Sequence, residues 1–214
     1  MNRQFDHKAI RIMIGVVAIL IAPACLLIGG EGILLSISSY YWSDAQDVFV
    51  GFLIAAGFLL YTYNGSGNGR DCEYFMSKFA GVFAVFVALF PTETDQGEGS
   101  APAWVEGFSK GIGLSTHMIH LGSAVLLFVC LIIIMLKISS RAKSVGKQRR
   151  ATVYKSIATL MAVGILVIFL VGKLADWDHY VLALEIWGLV LFGGGWILAG
   201  WYKTESVPTP SKSS

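Results

Sequence analysis

His117 and His120 stand three residues apart in a long apolar run, so on a helix the two imidazoles share one face. Thr116, His120 and Ser123 carry that polar stripe further along the same helix. With His179 added, the chain offers the three imidazoles that a catalytic zinc site takes, the fourth position being left to water. Asp47 or Glu185 would then be the general base that takes a proton from the metal-bound water, and Ser38 or Tyr40 would help to hold the oxyanion. That set describes a zinc-dependent membrane hydrolase acting on a lipid or another amphipathic substrate. The reading that asks less of the sequence is a pocket without catalysis. It would bind a small or lipid-like ligand through Ser36, Ser38, Tyr40, Tyr41 and Ser123.

Each residue also has a plain structural role open to it. Asp47 suits a helix N-cap, and Glu185 could pair with Lys173. His179 lies in the polar turn Asp176-Trp177-Asp178-His179-Tyr180, and His117 and His120 could simply join helices by hydrogen bonds. Haem needs axial histidines on facing helices, whereas His117 and His120 share one. The chain holds no phosphate-binding Gly loop, no Cys-x-x-Cys, no His-Glu-x-x-His and no Gly-x-Ser-x-Gly. A nucleophile, if there is one, carries no motif.

The elements that would position these groups are six apolar stretches near the 20 residues a membrane span needs. They run Ile12 to Gly30, Asp47 to Tyr63, Tyr74 to Phe90, Gly113 to Lys137, Ser156 to Leu174 and Val181 to Trp201. The expected fold is therefore all-α, a single six-helix transmembrane bundle over residues 1–203, followed by a short disordered tail over 204–214. The first span reads as an uncleaved signal anchor, and the connection from Pro91 to Ile112 reads as a polar, Gly-rich loop. On this arrangement the second, fourth and sixth spans run in the same direction. Asp47 opens the second, His117 and His120 lie roughly 6 and 10 Å into the fourth, and Glu185 lies about one turn into the sixth. Ionisable groups inside a membrane cost about 2.5–3.5 kcal/mol each, so several at one depth point to a polar pocket. Such a pocket would face outward, away from the side of the two termini, between the second, fourth and sixth spans. Along the sixth, Glu185, Gly188, Phe192 and Gly195 would let another helix approach closely.

Composition supports the membrane and excludes much else. The 214 residues are 55% hydrophobic and 14% charged, against about 25% charged in a soluble domain, and mean hydropathy is +0.67. That shortage of charge excludes an ordinary water-soluble fold, a disordered chain and a nucleic-acid binder. Of the sixteen Lys and Arg, all but Lys110 and Lys173 fall on the side of the two termini, with the densest group at Arg141 to Arg150. By the positive-inside bias both termini are cytoplasmic, in a multi-pass protein of the inner (plasma) membrane. The basic segment reads as the topogenic loop, touching anionic head groups, so the expected partners are membrane lipids. Three scattered cysteines are too few for a disulfide framework.

Four segments carry a resemblance: Ser36-Ile37-Ser38-Ser39-Tyr40-Tyr41, Asp47-Val48-Phe49-Val50-Gly51, Ala88-Leu89-Phe90-Pro91-Thr92 and His120-Leu121-Gly122-Ser123-Ala124. Over about residues 10–200 the chain resembles a family of small bacterial membrane proteins. The resemblance implies a six-helix inner-membrane protein and no activity. It also implies that the hydroxyls of Ser36, Ser38 and Tyr40 fold down beside Asp47 and His120. A weaker similarity is to the alkaline ceramidase and adiponectin-receptor superfamily, which binds zinc in a helical bundle with three histidines assisted by Asp and Ser. This chain shares the residue types but lacks the paired His-x-x-x-His of the last helix and has six spans rather than seven.

Overall fold

The computed structural model describes residues 7–30, 32–65, 71–93 and 100–202. The tail expected over 204–214 lies outside them. Seven α-helices carry the described chain, and no strand occurs among the described residues. They are α1 (His7–Ile28), α2 (Gln46–Thr62), α3 (Cys72–Leu89), α4 (Ala103–Ile112), α5 (Thr116–Ser144), α6 (Gln148–Leu174) and α7 (Tyr180–Trp201), with a 3₁₀ turn over Ser38–Trp42. Of these, α1, α3, α5, α6 and α7 are long and apolar enough to cross a membrane. The helix α2 is apolar but has 17 residues. The chain is a membrane-protein helical bundle.

The long helices form a closed ring. Each packs on its neighbours in the chain, and α7 returns to pack on α1. Two crossings are close because glycines face each other. A Cβ placed on Gly15 would lie 2.6 Å from the Gly193 carbonyl oxygen, and one on Gly193 would lie 2.6 Å from that of Gly15. Gly57 and Gly81 stand in the same relation where α2 crosses α3. These are the small-residue contacts by which membrane helices approach without a hydrophobic driving force. The stripe expected on α7 works differently. Gly188 and Gly195 receive side chains, Phe128 at the first and Met135 at the second, and leave the backbone contact to Gly193.

The structure departs from the expected elements in two places. The Pro91 to Ile112 connection contains α4, an amphipathic helix that buries Val105 and Ser109 and leaves Trp104, Phe108 and Ile112 exposed. The rings of Trp104 and Phe108 lie 6.3 and 5.4 Å from that of Phe90. Gly113, at φ +71°, ends the helix in the left-handed conformation that glycine adopts at little cost. The basic segment Arg141 to Arg150 is mostly helical, because α5 and α6 run well past their apolar stretches and leave only residues 145–147 between them. Hydropathy marks the apolar part of a helix and not its ends.

Candidate functional site

The site is built on the segment between α1 and α2, which folds back into the bundle. Gly30 and Gly32 turn the chain at φ +69° and +86°. Ser36, Ser38, Ser39, Tyr40 and Tyr41 are then all buried. Backbone that is not regular helix needs its hydrogen bonds met when it is taken from water, and several here have partners in the strap or in α7. The Leu35 carbonyl accepts from Leu182 N–H (3.0 Å), a donor in the first turn of α7 that has no partner within its own helix. Ser36 Oγ accepts from Ser39 N–H (2.9 Å) and starts the 3₁₀ turn. Tyr40 donates its hydroxyl to the Gly32 carbonyl (3.0 Å), and Trp42 Nε1 donates to the Thr92 carbonyl (3.0 Å). Burial raises the Tyr41 hydroxyl above the usual phenol range, against a smaller downward pull from a hydrogen bond with Gln46.

This strap carries Ser38 between two ionisable side chains. Glu185, on the second turn of α7, accepts from Ile37 N–H (2.6 Å), and its Oε1 stands 3.1 Å from Ser38 Oγ. On the other side, Ser38 Oγ lies 2.9 Å from His120 Nε2. His120 Nδ1 is 2.7 Å from the Phe90 carbonyl oxygen. A carbonyl only accepts, so Nδ1 carries the hydrogen and Nε2 is the nitrogen turned toward Ser38. A chain of contacts thus runs from α7 through the strap to α5 and on to the end of α3.

Ser38, His120 and Glu185 line one wall of a cavity of about 750 Å³. Its polar end also takes in Ser36, Ser39, Thr92, His117 and Lys173, and its apolar part is made by Leu121 and Val125 of α5 with Ala162, Ile165, Leu166 and Phe169 of α6. Ala162 lies about 18 Å along α6 from that helix's C-terminal end, so the apolar part runs far along the helix, and the exposure of Leu121, Val125, Leu166 and Phe169 makes it a groove open at the side of the bundle. The cavity's walls are α5, α6, α7 and the strap. The second span, expected as a wall, contributes no lining residue, and α6 takes its place.

The other sequence-derived residues divide accordingly. Asp47 is exposed on the first turn of α2, is not its N-cap (Ala45 is), and does not line this cavity. Glu185 bonds to the strap and forms no ion pair with Lys173, whose ammonium lies 5.1 Å from the Tyr180 ring centroid. His117 Nδ1 is 3.3 Å from Thr92 Oγ1, and His179 Nε2 is 3.3 Å from the Ile33 carbonyl oxygen. Ser123 is buried on α5 and is not a lining residue. The three imidazoles therefore face three different partners. Among the described residues no group of three His, Cys, Asp or Glu side chains is placed to hold a metal ion, so the zinc set of His117, His120 and His179 does not form.

No match was found. Comparison with protein-family models, with curated proteins and with solved structures returns none for this chain. The functional reading therefore stands on geometry alone.

A second buried polar cluster, which residue type and spacing did not single out, lies at the opposite end of the bundle. Glu73 on α3 and Arg11 on α1 are 1% and 3% exposed. Tyr63 donates its hydroxyl to Glu73 (2.6 Å) and accepts from Arg11 Nη2 (2.6 Å). Arg141 of α5 closes an ion pair on Glu73, and Arg11 Nη1 donates to the Ala199 carbonyl of α7 (3.1 Å). In the sequence these charges stand out only as markers of topology. The available signal is Glu73 itself, an acid on the side where the bases gather.

Proposed function

We propose that this protein is a six-span membrane protein, with both termini cytoplasmic, whose cavity binds an amphipathic, lipid-like ligand. The observation that supports this reading is the cavity's polarity gradient. Hydroxyls, imidazoles, Lys173 and the acids Glu93, Asp178 and Glu185 gather at one end, and mostly aliphatic side chains of α5, α6 and α7 line the rest. A ligand with a polar head and an apolar tail matches both parts, whereas a small polar solute would leave the long apolar part unused. The sixth span rests on α2. At 1.5 Å per residue its 17 residues reach about 26 Å, somewhat short of a hydrocarbon core of about 30 Å. It packs between α1 and α3 in the ring, however, which supports counting it with them. The bias of Lys and Arg toward the ends of α2, α5 and α7 supports the orientation.

The binding test uses full-length protein in detergent and a lysophospholipid carrying a fluorescent group. The expected result is saturable binding that Ala162→Trp weakens at least tenfold, because the indole occupies the apolar part. Binding that does not saturate, or that Ala162→Trp leaves unchanged, would refute the reading. Orientation is tested separately with reporters fused at Ser214 and inserted near Gly99, which should report opposite sides of the membrane.

A further inference from the structure

We propose that Ser38 and His120 are a nucleophile and its general base, so that the cavity cleaves an acyl ester. The proposal rests on the amphiphile-binding reading and names the reaction done there.

The arrangement meets the geometric requirements of an activated serine. The nucleophile must lie within hydrogen-bond reach of a base, and the base must be oriented by a third group. Ser38 Oγ is 2.9 Å from His120 Nε2, and the Phe90 carbonyl fixes the imidazole by taking the hydrogen of Nδ1. A neutral His120 held this way turns its one basic lone pair at Ser38. Both side chains line the cavity at the junction of its polar and apolar parts, where the carbonyl of an ester would sit with its acyl chain between α5 and α6.

Glu185 is a positioning residue. Through Ile37 N–H it holds the backbone next to Ser38, and through Oε1 it stands 3.1 Å from the Ser38 oxygen. Ser38 has one proton and two acceptors facing it. Both contacts are satisfied together when Glu185 is protonated and donates to Ser38 Oγ, because Ser38 then gives its own proton to Nε2. That state consists of neutral acid, hydroxyl and imidazole, which suits a site with little water.

In the first half-reaction the Ser38 O–H proton passes to His120 Nε2 as Oγ forms a bond to the ester carbonyl carbon. Collapse of the tetrahedral adduct breaks the bond from carbon to the alcohol oxygen. The departing alcohol takes the proton from Nε2 and leaves an acyl-Ser38. Water then adds in the same way. It gives one proton to Nε2, which returns it to Ser38 Oγ as the carboxylic acid leaves. The sum is ester plus water to acid plus alcohol, with no other reactant.

The test treats the full-length protein in detergent with an alkyl fluorophosphonate and maps the adduct by mass spectrometry. One adduct is expected, on Ser38, and none in Ser38→Ala. His120→Asn keeps an amide N–H for the Phe90 carbonyl but has no basic nitrogen facing Ser38, and should label at least about a hundredfold more slowly. Absence of the Ser38 adduct after hours, or equal rates in the native chain and His120→Asn, overturns the proposal. Labelling of the native chain needs no variant to fold. Lysophospholipid binding without labelling leaves the amphiphile reading standing and removes the nucleophile. Labelling without such binding does the reverse.

Discussion

Two carboxyl groups, Glu73 buried and Glu185 half-buried, sit at opposite ends of the same ring of helices and are held in different ways. Glu73 is held by a guanidinium and a phenol, with a second guanidinium behind the phenol, so four side chains from three helices and the end of α2 lock together. Glu185 has no cation among its hydrogen-bond partners. It is met by a backbone N–H and a hydroxyl, and the hydroxyl belongs equally to an imidazole. Glu73 is packed shut, whereas Glu185 borders a cavity large enough for a ligand. The difference teaches that a buried charge is no evidence of function by itself. A carboxylate tied to strong cations is a clamp. One left to neutral donors beside open space can exchange protons with what enters it.

The largest effect should come from the clamp. Glu73→Ala leaves the half-buried Arg141 without its counter-charge and the buried Tyr63 hydroxyl without its acceptor, and removal of one partner of a buried pair costs about 3–5 kcal/mol. Thermal unfolding in detergent should drop steeply, or the protein should fail to accumulate. A melting point matching the native chain would dissolve the contrast. Glu185→Gln should cost less, about 1 kcal/mol, because the amide oxygen still accepts from Ile37 N–H. Its main consequence should appear as altered lysophospholipid binding, and a loss of stability as large as that of Glu73→Ala would make Glu185 a second clamp. The smallest change belongs to Asp47→Asn. This exposed first-turn residue contributes through the helix dipole, about 0.3–0.5 kcal/mol, and binding should be unchanged. A marked loss of binding would bring α2 back into the site.

Much of the fold was legible because long apolar runs leave few alternatives to a membrane helix, and the expected spans match α1, α2, α3 and α7 to within a few residues. What escaped was whatever hydropathy does not encode. The charged ends of α5 and α6 are helical in spite of their polarity, and α4 is amphipathic rather than apolar. In the site, residue type and depth bring His120 and Glu185 to one level, and the structure joins both to Ser38 by hydrogen bonds. Depth fixes a height along a helix but says nothing about rotation around it. Asp47 and His179 lie near the expected height and face elsewhere, so they drop out. The helix α6 enters as a wall although its lining is purely aliphatic apart from Phe169 and Lys173.

The seam between Gly15 and Gly193 has a consequence for how the protein is made. It joins the first long helix to the last, so α1 enters the membrane well before its closest partner has been synthesised. Until then the groove at Gly15 must be filled by lipid or by the insertion machinery. Meanwhile Arg11 can bond Tyr63 at the end of α2 but lacks the Ala199 carbonyl. Assembly of this ring is therefore a late, long-range event, the kind of contact that slows folding. A chain interrupted before α7 would expose an open glycine groove and leave Arg11 short of one of its partners, features by which an unfinished membrane protein could be recognised and removed.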